Sequence, residues 1–495
     1  MGVLQKPETK TTRIRSHATP CGAGRWSRDH CGYAALMMVI GSEGSASGSE
    51  GRTIVARATP PGRSALAIVR LSGPATREVL EAVVGPGPAA GLQARRPRLL
   101  VVFDRLGRGI DRALITLFPA PASYTGEDLA EISLHGAPAV VEEVVRVCLE
   151  AGASPAEPGE FTLKALEAGK IDLAQAEAVA DLVEAVSVEQ AHVATRQLGG
   201  EVSRALRPLA EEVLGLVVDV EASLDFAEEE SALADPGQAA AERCRDLAER
   251  LAMVARRSES ACRIREGARV VLVGPPNAGK SSLFNRLAGF ERVLVCSEPG
   301  TTRDLIEEVI VLEGLPVVLV DAAGIGASDS LAERAGMERA LGAARAAALV
   351  LRVFDPSASD QAGEPPPAPE GVAEILVGTH ADRPWLSPAP ESALAVSSLT
   401  GEGIEALRRE VARRLQAPGV ASPESVALAT ERHRRLAMEA HGHLLAAAEV
   451  LESAAVTEVA AAELRAALGA FEEILGAVGP EDLLGRIFSR FCIGK

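Results

Sequence analysis

The sequence predicts a multidomain chain of mixed α+β and α/β type: an α+β amino-terminal domain, a discontinuous α-helical bundle, and an α/β domain inserted into that bundle. Three observations lead there. At 495 residues the chain exceeds what one ordinary core supports, so two to four domains are expected. Hydrophobic periodicity changes along it, from short β-rich runs to helical spacing, then to alternating strands and helices, and back to helical spacing. Finally, Gly274-Pro-Pro-Asn-Ala-Gly-Lys-Ser281 stands between an apolar strand and an apolar helix, as a phosphate-binding loop does.

Residues 1–50 mix Arg, Ser, Gly, Thr and Pro without periodicity. They read as a disordered extension, or as an over-long start with Met37 or Met38 nearer the true one; a transit peptide is the weaker alternative. Order begins at Thr53-Ile-Val-Ala. Leu66–Leu71, Leu99–Phe103, Ala113–Phe118 and Leu129–Leu134 read as strands, and Ala75–Val84 and Ala139–Ala151 as helices, within a domain spanning 51–168.

From Thr162 to about Ser260 apolar residues recur at helical spacing, as in Leu206, Leu209, Val213, Leu216, Val217 and Val220, and residues 425–475 repeat that texture. Each block has an apolar face to bury, so 169–266 and 418–495 are expected to form two parts of one bundle; two separate helical domains are the alternative. Between them, 267–417 alternates strands (Arg269–Val273, Val309–Leu312, Val317–Val320, Ala348–Phe354, Ile375–Val377) with helices, which implies a mainly parallel sheet. Glu313-Gly314 marks a hairpin, and residues 356–370 form a loop by composition.

Hydrophobic residues at 47% and charged residues at 24% describe a globular chain, and 3% aromatics leave Ala, Val and Leu to build helix-rich cores. A net charge of −17 excludes a surface that binds nucleic acid all over, leaving room for a local basic patch or a basic partner. The seven cysteines show no CxxC or Cys/His zinc spacing, which suits a reducing, cytoplasmic compartment. Ala34–Ile40 is too short to span a membrane, and no longer apolar run exists.

The phosphate loop supplies Asn277, Ala278, Gly279, Lys280, Ser281 and Ser282: backbone amides wrap the β-phosphate, Lys280 neutralises the β/γ oxygens, and Ser281 ligates Mg²⁺. Gly300-Thr-Thr-Arg-Asp304 offers Thr302 to complete the Mg²⁺ shell. Asp321-Ala-Ala-Gly324, with Ala322 and Ala323 between its ends, is the DxxG turn that senses a γ-phosphate, about 40 residues beyond the loop. Thr379-His-Ala-Asp382 stands where guanine is read by [NT]KxD, with His380 replacing the lysine. Ser397-Ser398-Leu399 follows in the SA[KL] slot. Five motifs in order predict a Ras-like P-loop GTPase domain. Ile325 occupies the position of a catalytic glutamine, so hydrolysis needs another water-organising group.

Outside these motifs, Thr53-Ile-Val-Ala to Arg63, Tyr124-Thr-Gly-Glu-Asp128, Pro158-Gly-Glu-Phe161, Lys170-Ile-Asp-Leu-Ala-Gln-Ala-Glu-Ala178 and Asp482–Lys495 resemble the MnmE (TrmE) family of tRNA-modification GTPases. The resemblance covers 53–495. It implies a homodimer formed through the amino-terminal domain, which binds 5-formyltetrahydrofolate or methylene-tetrahydrofolate through Arg70, Glu131, Lys170 and Lys495. It implies K⁺ held by Asn277, Cys296, Glu298 and Thr301, with Ser297, Pro299 and Gly300 in the same nucleotide-binding segment, and Glu333 as the water-organising group. Cys492, in the terminal Phe-Cys-Ile-Gly-Lys, is implied in the modification chemistry. The implied partners are GTP, tRNA and an FAD-containing MnmG-type protein in a two-plus-two heterotetramer. The implied product is a carboxymethylaminomethyl group at the 5-position of the wobble uridine. A ribosome-assembly-type GTPase and a catalytically weakened GTP-binding scaffold are the alternatives, the latter motivated by Ala322, Thr379 and His380.

Overall fold

The computed structural model describes residues 51–225, 236–289, 306–321, 342–357, 365, 367–386, 390, 392–415, 428, 430–453, 458–476, 491 and 494. The chain divides into two compact units, Met1–Pro119 with Asp128–Ala156, and Ala120–Glu127 with Glu157–Lys495.

In the first unit the elements run β1 (Ile54–Arg57), β2 (Ser64–Ser72), α1 (Thr76–Val84), α2 (Pro86–Ala90), β3 (Arg98–Phe103), β4 (Gly109–Phe118), β5 (Leu129–Gly136), α3 (Pro138–Glu150) and β6 (Ser154–Pro155). They form a sheet of order β3-β4-β5-β2-β1-β6, antiparallel except where β6 joins β1. Alternate residues of the strands, such as Val69, Leu71, Ile115 and Ile132, are buried against Val79, Val83, Val141 and Val144 of α1 and α3. This period of two is what a sheet with one buried face requires. The opposite face carries Leu99 at 53% and Leu114 at 42% exposure.

The second unit holds the bundle and the inserted α/β domain. Segment 120–127 packs with α4 (Glu160–Glu167): Tyr124 Oη and Thr162 Oγ1 are 2.9 Å apart, and Lys164 Nζ donates to Glu127 Oε2 at 2.9 Å. The bundle follows with α5 (Leu173–Glu184), α6 (Val188–Leu198), α7 (Glu201–Asp225) and α8 (Pro236–Glu266). Asp172 with Gln175, and Ser187 with Gln190, form capping boxes at the starts of α5 and α6. After the α/β domain the chain returns as α11 (Glu431–Glu452) and α12 (Glu458–Leu475). One core joins both parts: Leu206, Leu216 and Leu251 on one side of the insertion, Leu444, Leu464 and Phe471 on the other. The two helical blocks are therefore a single discontinuous bundle, because neither could bury its apolar face alone. No helix among the described residues is long and apolar enough to cross a membrane.

The inserted domain contains β7 (Ala268–Val273), α9 (Lys280–Ala288), β8 (Ile306–Leu312), β9 (Leu315–Asp321), β10 (Leu349–Phe354), β11 (Ala373–Gly378), β12 (Leu394–Ala395) and α10 (Ile404–Leu415). Sheet order is β12-β11-β10-β7-β9-β8, all parallel but for the β8–β9 hairpin. Glu313 and Gly314 take φ of 48° and 83°, the pair of positive values that a tight two-residue hairpin demands. Apolar clusters cover both sheet faces, and β7 is accordingly buried almost throughout. Two features escaped the sequence pattern. β8 begins at Ile306 rather than Val309, since Glu307 and Glu308 interrupt the apolar run on an edge strand. β12 has only two residues, too few for any period.

Candidate nucleotide-binding site

Because these strands are parallel, the carboxyl ends of β7, β9, β10 and β11 lie along one edge of the sheet. The loop after β7 is tightly held. A Cβ at Gly274 would stand 2.0 Å from the Val353 carbonyl oxygen of β10, so only glycine fits. Asn277 and Gly279 adopt φ of 62° and 83°, turning successive amides inward. No side chain caps α9, so its first-turn N–H groups remain for an anion. Lys280 Nζ donates to the carbonyls of Gly274 (2.8 Å) and Pro275 (2.6 Å), positions from which phosphate oxygens would draw it. Burial pulls its pKa below the ordinary lysine value, and the Asp321 carboxylate partly opposes this. Ser281 Oγ donates to Asp321 Oδ2 at 2.8 Å, which joins the loop hydroxyl to the first residue of the DxxG turn.

The loop is also tied to the turn that carries Asp382. Thr379 Oγ1 lies 2.8 Å from the Ala278 carbonyl oxygen and 3.1 Å from that of Phe354, fixing the β11 turn to the phosphate loop and to β10. Ser397 Oγ donates to Asp382 Oδ1 at 2.6 Å and accepts from Thr400 N at 3.1 Å. That hydrogen bond keeps the Asp382 carboxyl below its ordinary pKa, so it is an anion ready to accept two donors. His380, at φ 55°, directs Nδ1 to Asp355 Oδ2 at 3.0 Å. Burial alone would raise the Asp355 pKa, but two hydrogen bonds from Ser357 and the His380 ring bring it down. Sequence reasoning missed Asp355; its signal is a lone carboxylate ending an apolar strand. Leu399 is 80% exposed beside the Ser397 turn and Ser398 is half-buried. Ser282, next to Ser281 on α9, is exposed.

The family model described as "MnmE helical domain" matches residues 173–492, and that of "GTP-binding protein TrmE N-terminus" matches residues 53–170. The tRNA modification GTPase MnmE of Azoarcus sp. (strain BH72) is 41% identical over 451 residues, covering 89% of this chain and 98% of that protein. The protein of the same name from Akkermansia muciniphila is 38% identical, over 90% of this chain and 99% of its own length. The chain belongs to the MnmE (TrmE) family. Among solved structures, the G domain of the T. maritima FeoB iron transporter is 27% identical and covers 30% of this chain and 99% of that one. Its TM-score of 0.22 is too low to bear on the fold.

Of the residues the MnmE resemblance points to for folate, Arg70 and Glu131 are direct cross-strand partners on the exposed face of the first sheet, with Arg70 Nη2 2.7 Å from Glu131 Oε1. Lys170 follows α4, where its stem lies against Gly126 of the Tyr124–Asp128 segment. Cys296, Ser297, Glu298, Pro299, Gly300, Thr301, Thr302, Ala322, Ala323, Gly324, Glu333, Cys492 and Lys495 lie outside the described residues.

Proposed function

We propose that this chain is a GTP-hydrolysing tRNA modification enzyme. One observation carries the guanine assignment: an ionised Asp382, held by Ser397, stands in the same domain as the Lys280–Ser281–Asp321 phosphate site, and Thr379 ties the two together. The hard oxygens of Ser281 and Asp321 suit Mg²⁺, which supplies charge neutralisation on the phosphates; Thr302 is the further expected ligand. Asn277 is exposed in the loop and offers a neutral amide oxygen of the kind K⁺ accepts; Cys296, Glu298 and Thr301 are the further expected ligands.

The chain's own residues then divide the work. Loop amides and Lys280 hold the phosphates, Asp382 selects the base, and Glu333 orients the attacking water. The remaining proposals rest on family membership. Segment 51–168 serves dimerisation and folate binding, with Arg70 and Glu131 toward 5-formyl- or methylene-tetrahydrofolate. Segments 169–266 and 418–495 form the helical domain around a G domain at 267–417. An FAD-containing partner joins this chain in the cytoplasm to install the carboxymethylaminomethyl group on the wobble uridine, with Cys492 near the chemistry.

The full chain should turn over GTP faster in K⁺ than in equimolar Na⁺, with ATP a poor competitor. Absence of K⁺ stimulation would leave a GTP-binding scaffold, and competition by ATP equal to that of GTP would remove Asp382 as the base reader.

A further inference from the structure

The chain crosses into the inserted domain after α8 and returns from it before α11, and a single bundle helix holds both crossings. Asp181 of α5 takes Arg265, in the last turn of α8, through two hydrogen bonds of 2.6 and 2.7 Å. One turn earlier, Glu177 takes Arg432, at the start of α11, at 2.9 and 3.1 Å. Glu177 is only 7% exposed, and its Oε2 is 2.9 Å from Nε2 of the fully buried His433, off the line of a good hydrogen bond. Burial alone would raise the Glu177 pKa. Contacts with the His433 ring and the Arg432 guanidinium more than reverse that, down to about 2, so the carboxylate stays charged.

The same helix touches the carboxy-terminal tail twice. Just after α12, Gly476 passes so close to Leu173 that a Cβ would stand 2.6 Å from the Leu173 Cβ. Further on, Phe491 is buried against Ala176, the neighbour of Glu177. From the α/β domain, the β8–β9 hairpin reaches the adjoining helix: the Glu189 carboxylate of α6 lies over Gly314, where a Cβ would stand 2.9 Å from both oxygens. Gln190 Nε2 donates to the Arg265 carbonyl at 2.9 Å. The hairpin's second strand, β9, ends in Asp321, the residue bonded to Ser281. The β8–β9 hairpin, helices α5 and α6, Gly476 and Phe491 are thus linked by a chain of contacts.

We propose that Glu177 and Asp181 are positioning residues that make α5 the coupling element between the nucleotide state of the α/β domain and the carboxy-terminal tail. This rests on the reading of that domain as a GTP site. The ionic clamp transmits a shift because each carboxylate holds a crossing point of the chain, so neither crossing can move without α5.

The test is hydrogen–deuterium exchange on the full chain with Mg²⁺ and K⁺, comparing GDP with a non-hydrolysable GTP analogue. In the wild type, amides of α5 should change exchange rate by at least about threefold between nucleotides, together with those of α9. In Asp181→Asn the α9 response should persist while the α5 response largely disappears, whereas Arg265→Lys alone, which keeps both charges of the pair, should retain most of it. A merely structural role for Asp181 would raise α5 exchange equally in both nucleotide states. An α9 response without an α5 response in the wild type overturns the proposal, whether or not the variants fold. So does an undiminished α5 response in Asp181→Asn. No response at either helix would sink the GTP reading, and this inference with it.

Discussion

Among the described residues stand two six-stranded sheets, and they present chemistry in opposite ways. The sheet of the inserted domain is covered on both faces, so its strands are committed to packing and only the loops at their carboxyl ends are left to bind anything. In the amino-terminal sheet one face packs on α1 and α3, and the other offers side chains from the strands themselves, Arg70 and Glu131 among them. The first arrangement makes a site from backbone, with tight steric limits; the second makes it from replaceable side chains. Substitutions should therefore be severe in the one and mild for the fold in the other.

The largest effect is expected at Gly274. Alanine there would drive a methyl into the Val353 carbonyl oxygen at 2.0 Å, and backbone must move on one side or the other. The predicted outcome is a loss of at least about 100-fold in GDP affinity, from displaced loop amides, and about 2–3 kcal/mol of stability from overpacking. Fluorescent-nucleotide titration and denaturant unfolding measure the two. Tight nucleotide binding by Gly274→Ala would break the claim that backbone approach defines this site.

Next comes Asp382→Asn. The carboxylate is fixed by Ser397 at 2.6 Å, and replacing it removes a charge-assisted acceptor for the base, so GTP affinity should fall by roughly 30- to 150-fold. The asparagine amide can instead donate to the 2-oxo group of xanthine, so xanthosine triphosphate should gain affinity as GTP loses it. Equal loss of both nucleotides would show a collapsed turn rather than a lost base contact.

Thr379→Val keeps the volume and deletes the hydroxyl that bridges Ala278 and Phe354. One buried hydroxyl is lost and with it the donor to the Ala278 carbonyl, while the Phe354 carbonyl keeps the Thr379 N–H, for about 1–2 kcal/mol and roughly tenfold in GTP affinity. Thr379→Asn, which restores a donor, should recover part of it. A valine variant that binds GTP like the wild type would mean the phosphate loop holds its shape without the tether.

The contrast between sheets also explains what could be read from sequence. Gly274, Lys280, Asp321 and Asp382 stand at or just beyond strand ends, so each falls in a short contiguous motif, and the strands before them announce their positions. Thr379 was legible as a base-site residue, but its tie to Ala278 joins positions 101 apart and appears only in three dimensions. Asp355 was missed for the same reason, since its partner His380 belongs to the next strand's loop. Arg70 and Glu131 stand 61 residues apart on adjacent strands, and nothing local distinguishes them from solvated charges; only family resemblance singled them out. The bundle was visible as texture, whereas nothing local shows what the α5 carboxylates hold: Glu177 sits in the Lys170–Ala178 segment 255 residues from Arg432, and Asp181 lies beyond that segment, 84 residues from Arg265.

The smallest effect on the fold is expected at that cross-strand pair. The Arg70 and Glu131 side chains are 20% and 27% exposed, so their attraction is moderated by water. Glu131→Gln keeps the shape and a weaker acceptor, and should cost about 0.5–1 kcal/mol of stability. If this face receives the pterin of a reduced folate, the same change replaces a carboxylate acceptor with an amide and should weaken 5-formyltetrahydrofolate binding about tenfold or more in calorimetric titration. The two readouts must separate for the comparison to hold. A variant that binds folate normally removes Glu131 from the site. One that unfolds by several kcal/mol shows instead that the open face holds the sheet together, and that the two sheets differ less than their exposed surfaces indicate.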